Sequence, residues 1–301
     1  MRVVLALGGN AILRRGESPS AEIQRENLAK AAELVARIAR QHEVVLTHGN
    51  GPQIGLLALQ SAAFREVPAY PLDILGAQTE GMLGYMLEQE LLRHLQFQDV
   101  ATLVTQVVVS ATDPALEEPV KPIGAVLTSE EAERARTVHG WTVGRDGSHL
   151  RRLVPSPRPR RIVPARTIRR LVEAGTIVIS GGGGGIPVIR TPDGGFKGLE
   201  AVIDKDMTAG LLAREVRAHA LVLLTDVAGV QIGFGTPDAT TLGEVRPEEL
   251  EAHTFPEGSM GPKVRAAIDF VRGGGRMAAI GALEEAPAIL EGRAGTRIVP
   301  D

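Results

Sequence analysis

Cysteine is absent from the 301-residue sequence, and no run of 18 apolar residues occurs in it. The lack of cysteine excludes disulfide bonds, thiolate metal sites and cysteine nucleophiles, and it fits a reducing compartment. A membrane-spanning helix needs about 20 apolar residues, so none is expected, and the apolar run at residues 2–7 is too short for a signal peptide. We therefore expect a cytoplasmic protein that does not contact a membrane.

An excess of positive charge is also lacking, since 33 Lys and Arg residues stand against 36 Asp and Glu residues. No global field would attract nucleic acid, and none is expected as a partner. Two nucleotide-binding fingerprints are missing as well. The pattern G-x-x-x-x-G-K-[ST] does not occur, and Gly49-Asn50-Gly51 is followed by Ile54 where G-x-G-x-x-G requires glycine. These absences exclude a P-loop and a Rossmann dinucleotide site.

Five consecutive glycines occupy positions 181–185, a segment that we call the glycine tract. A β-branched run at 177–179 precedes it and another at 186–189 follows. This arrangement predicts a buried strand, a stretch of exposed backbone that a neighbour or ligand can approach closely, and a second strand. A flexible linker is the alternative, but linkers are flanked by polar residues.

Apolar strand patterns alternate with helical patterns along most of the chain. Strands are predicted at 2–7, 44–47, 101–109, 177–180, 220–224, 277–280 and 296–299, and helices at 20–41, 73–95, 165–174, 204–216 and 259–272, with a further helix starting at Pro52. Strands that are apolar on both faces indicate an α/β fold with an open, mainly parallel sheet covered on both sides. Prolines and the single tryptophan, Trp141, mark residues 113–159 as a small protruding subdomain.

Three glycine-rich loops follow predicted strands, at 8–10, at 49–51 and at the glycine tract. The carboxyl ends of parallel strands meet at one edge of a sheet, and ligands of open α/β sheets bind there. Backbone N–H groups in such loops favour phosphate or carboxylate. Each loop alone is also compatible with a tight turn, but together they make phosphate the leading ligand class.

Lysines supply the positive charge for such a ligand. Lys205 and Lys263 lie at predicted helix starts, where the helix dipole disfavours a cation unless a bound anion compensates it. Lys121 lies between prolines in the protruding subdomain. For each lysine, a solvated surface position is the alternative. Asp204 either caps the helix or orients lysines and Mg²⁺, and both interpretations stay open, whereas for Asp206 the functional role is favoured.

Two further positions deserve a hypothesis. The strand at 220–224 opens into a glycine-containing loop, where a nucleoside is expected to bind. His48 follows a strand beside a phosphate-type loop, so it is a candidate base, but a packed and hydrogen-bonded histidine is the more common outcome. No histidine and carboxylate cluster has metal-ligand spacing in the sequence, so a zinc site is not expected.

Taken together, the motifs resemble those of the carbamate kinases, which belong to the amino acid kinase superfamily. The matching strings are LALGGNA at 5–11, THGNGPQ at 47–53, KPIG at 121–124, VPSP at 154–157, GGGGGIPV at 181–188, VIDKD at 202–206 and GSMGPK at 258–263. The resemblance implies one αβα sandwich over 1–301. Its N-terminal lobe, about 1–174, binds carbamate and phosphate and includes the protruding subdomain at about 113–159, while the C-terminal lobe, about 175–301, binds the nucleotide.

The activity implied is reversible transfer of the ATP γ-phosphoryl group to carbamate, giving ADP and carbamoyl phosphate, in arginine and carbamoyl phosphate metabolism. Mg²⁺ is expected to arrive with the nucleotide, with no metal held by the protein alone, and a homodimer is expected. Carbamate is already an anion, so positioning and charge neutralisation suffice without a general base. Two alternatives stay open: another small-acid kinase of the superfamily, and a non-catalytic nucleotide- or anion-binding protein on the same fold.

The resemblance also assigns roles to individual residues. The catalytic residues implied are Lys121, Lys205, Asp206 and Lys263. Contacts to carbamate and phosphate are implied for Gly8, Gly9, Asn10, Gly49, Asn50, Gly51 and Arg152. Contacts to the nucleotide are implied for Gly182, Gly183, Thr225, Asp226, Val227, Met260 and Gly261. The sequence departs from the family pattern at Gln231 and Gly233, in the nucleoside pocket. It also departs at 149–152, so either Arg151 or Arg152 could supply the arginine that contacts carbamate and phosphate.

Overall fold

An eight-stranded sheet runs through the centre of the computed structural model, which describes residues 1–14 and 16–300. The strands of this sheet and of three smaller sheets are, in chain order, β1 (Arg2–Leu7), β2 (Glu43–His48), β3 (Val100–Leu103), β4 (Gln106–Val109), β5 (Lys121–Leu127), β6 (Val143–Asp146), β7 (His149–Val154), β8 (Pro159–Ile162), β9 (Ile177–Ser180), β10 (Ile186–Arg190), β11 (Phe196–Gly198), β12 (Ala220–Thr225), β13 (Gln231–Ile232), β14 (Thr240–Thr241), β15 (Glu244–Val245), β16 (Met277–Ala282) and β17 (Thr296–Ile298). The helices are α1 (Ala21–Ala39), α2 (Gly51–Ala63), α3 (Leu72–Leu92), α4 (Ser129–His139), α5 (Ala165–Glu173), α6 (Lys205–Glu215), α7 (Pro247–Glu251), α8 (Met260–Arg272) and α9 (Ala286–Leu290). Within these residues, each helix is too short or too polar to cross a membrane.

The strands of the large sheet follow the order β15-β17-β16-β12-β1-β2-β9-β3. The β16–β17 pair is antiparallel and the other pairs are parallel. Successive residues of a strand face opposite sides, so Val3 and Leu5 join a core with α1 and α3, while Val4 and Ala6 join a core with α6 and α8. The predicted three-layer αβα sandwich with a mainly parallel sheet is therefore confirmed.

Side-chain caps begin three of the helices. Ser20 Oγ accepts a hydrogen bond from the backbone N–H of Ile23 at the start of α1. Thr128 and Glu131 form a capping box at the start of α4. Asp204 Oδ1 accepts from the N–H groups of Asp206 and Met207 at the start of α6. Each cap satisfies a backbone donor that the helix leaves free, so these short polar residues fix where the helices begin.

The single strand predicted at 101–109 is wrong, because the chain changes sheets at Thr105. Strand β3 pairs with β9 in the large sheet, whereas β4 pairs with β10 and β8 in a four-stranded sheet of order β11-β10-β4-β8. At the break, the Thr105 N–H donates to Glu80 Oε2 and its carbonyl accepts from the Ile186 N–H. The glycine tract makes the same change of sheet, between β9 and β10.

The protruding subdomain packs against α2 through two glycines. Its antiparallel sheet, of order β5-β7-β6, is covered by α4. A Cβ atom on Gly55 of α2 would overlap the backbone of Gly124 in β5, so only glycine permits this approach. The same strand carries Lys121, and the contact therefore fixes where that lysine lies.

We expect Gly55→Ala to lower the free energy of unfolding by about 1–3 kcal/mol, because a methyl group forced against backbone must push β5 away. Turnover should also fall, since the displaced strand carries Lys121. Gly81→Ala is the matched control. Gly81 is an exposed glycine inside α3 with open space around its Cα, so alanine there should stabilise the helix by about 1 kcal/mol. Urea denaturation of both variants measures the two free energies of unfolding. Equal values for Gly55→Ala and Gly81→Ala would refute the close backbone contact between Gly55 and Gly124.

Candidate active site

The loops that follow β1 and β2 touch each other at the carboxyl edge of the large sheet. The strands are paired up to Leu7 and His48, and the Gly49 N–H donates to the Leu7 carbonyl at 3.1 Å. A Cβ atom on Gly49 would lie 3.1 Å from the Gly9 nitrogen. The two glycine-rich loops predicted at 8–10 and 49–51 are thus brought together, and helix α2 begins directly behind the second one.

The glycine tract lies against both the second loop and the start of α6. A Cβ atom on Gly182 would overlap the His48 ring, and one on Gly183 would overlap the Asn50 side chain. On the other side, a Cβ on Gly184 would overlap the Ile203 carbonyl. Three consecutive glycines therefore exist because three neighbours occupy the space that side chains would need.

A buried carboxylate joins two of the predicted lysines. Asp206 is 5% exposed, and its Oδ1 lies 2.7 Å from Lys205 Nζ and its Oδ2 3.1 Å from Lys263 Nζ. Lys263 also donates to the Ser259 carbonyl at 3.2 Å. We call Lys205, Asp206 and Lys263 the lysine cluster. It stands where α6 and α8 begin, so residues 57 positions apart in sequence meet at one carboxylate.

The two lysines of the lysine cluster favour the ionised form of the Asp206 carboxyl group. Burial alone would raise the pKa of Asp206, but the adjacent charges of Lys205 and Lys263 lower it below its usual range. Burial lowers the pKa of Lys205, with Asp206 opposing this and Lys263 reinforcing it. The cluster has two positive charges and one negative charge, which leaves a net positive charge for an anion.

Lys121 reaches the same helix start from the protruding subdomain. Its ammonium group pairs with Asp204 Oδ2, while the other oxygen of Asp204 caps α6. Asp204 therefore caps the helix and also pairs with a lysine, whereas a role toward Mg²⁺ stays a prediction. The pair ties β5 to α6, so all three predicted lysines stand at or beside the α6 start.

The loop after β12 joins the first glycine loop through a side-chain hydrogen bond. Asn10 Nδ2 donates to Asp226 Oδ2 at 2.7 Å, and the other oxygen of Asp226 accepts from Thr225 Oγ1 at 3.1 Å. A Cβ atom on Gly8 would lie 3.0 Å from the Leu224 carbonyl. The predicted nucleotide loop thus lies beside the predicted carbamate loop. Met260 and Gly261 lie in the first turn of α8, three and two residues before Lys263.

Arg152 has contacts other than those predicted for it. Its guanidinium stacks 4.1 Å from the Trp141 ring centroid and pairs with Glu200 at 3.1 Å, and the second oxygen of Glu200 accepts from the Leu72 N–H. Arg151 binds Asp146 and the Gly124 carbonyl. These contacts link the protruding subdomain to itself and to the start of α3, and an anion-binding role for Arg152 stays a prediction.

Sequence reasoning missed the buried polar residues on α3. Thr79 Oγ1 accepts from Asn50 Nδ2 at 2.8 Å, and Glu80 Oε2 accepts from the Thr105 N–H at 2.6 Å. A signal existed, because Glu80 precedes Leu83 and Leu87 by three and seven residues, which places it on the apolar face of the helix. A glutamate on such a face needs a partner, and only the fold shows which one.

Comparison with known proteins agrees with this geometry. A model of the amino acid kinase family matches residues 1–281. The carbamate kinase of Rhizobium meliloti (strain 1021) is 51% identical over 301 residues, covering 99% of this chain and 93% of that protein. The one from Haemophilus influenzae is 49% identical over 299 residues, covering 99% and 96%.

Solved structures extend the similarity to three dimensions. The carbamate kinase of Giardia lamblia bound to citric acid has a TM-score of 0.94 at 39% identity, covering 100% of this chain and 98% of that one. The same enzyme bound to AMP-PNP has a TM-score of 0.91 at 39% identity, again covering 100% and 98%. This chain therefore belongs to the amino acid kinase family and, within it, to the carbamate kinases.

Proposed function

We infer that this chain is a phosphotransferase that carries out the carbamate kinase reaction, ATP + carbamate ⇌ ADP + carbamoyl phosphate. The observation that supports this best is the lysine cluster, with two ammonium groups held on one buried carboxylate at the start of α6, next to the segment against which the glycine tract packs. Phosphoryl transfer needs an electropositive, preorganised site of this kind, because charge spreads over the oxygens of the group in flight.

Lys205 and Lys263 neutralise that charge in our proposal, and Lys121 adds a third positive charge from the protruding subdomain. Both oxygens of Asp206 are taken up by the two lysines. Asp206 therefore acts in our proposal by keeping the ammonium groups charged and aimed, since each of its oxygens lies within ion-pair distance of one lysine. Preorganised charge of this kind is worth more in a buried site than in water.

A general base is unnecessary in this reaction, and His48 is not placed to be one. Its Nδ1 lies 3.0 Å from the Gly49 carbonyl, and a carbonyl only accepts, so Nδ1 holds the proton. Nε2 is then the only nitrogen that could accept a proton, and it is buried directly beside Gly182. Burial is the main cause that lowers the pKa of His48 to about 4, assisted by the charge of Lys205. His48 is neutral at physiological pH and serves as packing beneath the glycine tract.

We propose that the two substrates approach the lysine cluster from opposite sides. Carbamate binds to Gly8, Gly9, Asn10, Gly49, Asn50 and Gly51, and the nucleotide to Gly182, Gly183, Thr225, Asp226, Val227, Met260 and Gly261. In this proposal most of the carbamate side lies within 1–174 and the nucleotide side within 175–301. The contact of Gly183 with Asn50 supports the placement, since it sets the two sides next to each other.

Magnesium enters as part of the nucleotide substrate. A resident metal does not fit the cluster, because Asp206 is taken up by two lysines and Asp204 by Lys121 and the α6 amides. The described residues also contain no group of three metal-ligating side chains. We propose that Mg²⁺ is bound by the nucleotide phosphates and that the lysines take the charge that remains.

We further propose that the enzyme is a cytoplasmic homodimer of arginine and carbamoyl phosphate metabolism. Exposed apolar side chains near the α2–α3 connection, among them Phe64, Val67 and Tyr70, suit a subunit interface.

The direct test is ATP formation from carbamoyl phosphate and MgADP, with acetyl phosphate as the comparison donor. We expect rapid ATP formation from carbamoyl phosphate and little from acetyl phosphate. Failure to form ATP by a folded protein that binds MgADP would overturn the substrate assignment, and a panel of small acids with MgATP would then identify the acceptor.

Lys205→Ala and Lys263→Ala should each lower turnover by about 10²-fold or more, because each removes a preorganised charge from the transferring group. Lys30→Ala is the control, since Lys30 is exposed on α1. Steady-state kinetics at saturating MgADP measure the effect. Turnover in either cluster variant equal to that of Lys30→Ala would remove the lysine from the mechanism.

The buried His48 should also leave a mark on stability. Its pKa is about 4 in the folded chain against 6.5 unfolded, so the unfolded chain binds more protons between these values. Stability is therefore lost as the pH falls through that window, by up to about 1.4 kcal/mol per pH unit. His48→Asn removes the titrating group and should flatten the slope. Urea denaturation between pH 4 and 7 measures it, and identical slopes would show that His48 titrates normally.

A further inference from the structure

Glu80 is a buried acid for which the phosphoryl-transfer mechanism has no use. It lies on α3 and is 2% exposed, and its Oε2 accepts from the Thr105 N–H at 2.6 Å. Its Oε1 has no hydrogen-bond partner among the described residues. Burial raises the pKa of Glu80 well above its usual range, although the Thr105 amide opposes the shift. Burial disfavours the charged form of such an acid, and the contact that the structure gives it is the hydrogen bond from the Thr105 N–H.

Its partner, Thr105, holds both ends of the glycine tract. The Thr105 hydroxyl accepts from the Gly181 N–H at 2.9 Å, where the tract begins. The Thr105 carbonyl accepts from the Ile186 N–H at 2.8 Å, just after the tract ends. The same hydroxyl donates to the Leu103 carbonyl at 2.6 Å and lies 2.8 Å from Ser180 Oγ. A five-glycine segment has large conformational freedom, and a residue that binds it at both ends removes much of that freedom.

The neighbouring residue on α3 binds the opposite wall of the site. Thr79 Oγ1 accepts from Asn50 Nδ2 at 2.8 Å and donates to the Gly76 carbonyl at 2.7 Å. Asn50 is also the side chain against which Gly183 packs. One turn of α3 thus fixes the carbamate-side loop through Thr79 and the glycine tract through Glu80.

We propose that Glu80 is a positioning residue for phosphoryl transfer, which acts through Thr105 to hold the glycine tract at its working distance from Asn50 and the lysine cluster. This inference rests on the proposed carbamate kinase reaction. Displacement of a reacting group by about 1 Å can cost about 10²-fold in rate, so a rigid tract matters for turnover.

The test compares Glu80→Ala, Glu80→Gln and Glu90→Ala. Gln keeps an oxygen for the Thr105 N–H, whereas Ala does not. Glu90 is the matched control, a buried acid on the same helix, 6% exposed and paired with Arg93, about 15 Å further along the axis. We expect kcat to fall about 10- to 100-fold in Glu80→Ala, to stay within about threefold of wild type in Glu80→Gln, and to be unchanged in Glu90→Ala.

Thr105→Val covers the case in which Glu80→Ala does not fold. Valine keeps the shape and the backbone N–H but removes the hydroxyl that binds Gly181, so kcat should fall about tenfold. A Glu80→Ala enzyme with lower thermal stability but the kcat of wild type would overturn the proposal. So would a Glu80→Gln enzyme as slow as Glu80→Ala, or an unimpaired Thr105→Val enzyme.

Amide hydrogen exchange separates this proposal from the proposed reaction, because it needs no substrate. The N–H groups of Gly181, Gly184, Gly185 and Ile186 are all hydrogen-bonded. We expect the peptide that contains them to exchange about tenfold faster in Glu80→Ala than in Glu80→Gln or Glu90→Ala. Equal exchange in the three variants would overturn the positioning role even if wild type makes ATP. Faster exchange in Glu80→Ala would support that role even if carbamoyl phosphate is not the substrate.

Discussion

Asp206 is the buried carboxylate on which the proposed site depends. Two ammonium groups lie within ion-pair distance of its oxygens, and they come from the first turns of two different helices. Helix starts repel cations, so this arrangement would be unfavourable without Asp206. With it, the cluster keeps a net positive charge in a buried place, which suits an anionic phosphoryl group.

The glycine tract is the second constraint, because its missing side chains leave room for neighbouring groups. The glycines at 182–184 leave room, in that order, for the His48 ring, the Asn50 amide and the Ile203 carbonyl. This lets the loops after β2 and β9 and the segment before α6 come closer than side chains would permit. Freedom of the tract is limited by Thr105, where the chain passes from the large sheet to the smaller one. Close approach and restraint are therefore supplied by different residues.

Local sequence patterns predicted most of the fold, because strand periodicity, helix caps and glycine loops are short-range signals. The sequence predicts the mainly parallel sheet, and a helix cap at Asp204 is one of the two interpretations that it allows. The break at Thr105 was missed, since a β-branched run looks the same whether it serves one sheet or two. The spacing of Glu80 from Leu83 and Leu87 indicates a buried position, but its partner, Thr105, is distant in sequence and is shown only by the fold. The lysines stood out through their unfavourable positions at helix starts, but their sharing of Asp206 required the fold.

The claim that Asp206 keeps two buried ammonium groups charged for the phosphoryl group in flight can be measured without turnover. Aluminium fluoride with MgADP mimics the charge and shape of that group, and ligands of this kind bind more tightly than substrates. The measurement is the affinity for MgADP with and without aluminium fluoride, in wild type and in Asp206→Asn. We expect aluminium fluoride to tighten binding in wild type and the gain to shrink by about tenfold or more in the variant. An equal gain in both proteins would contradict a role for Asp206 in orienting the charge.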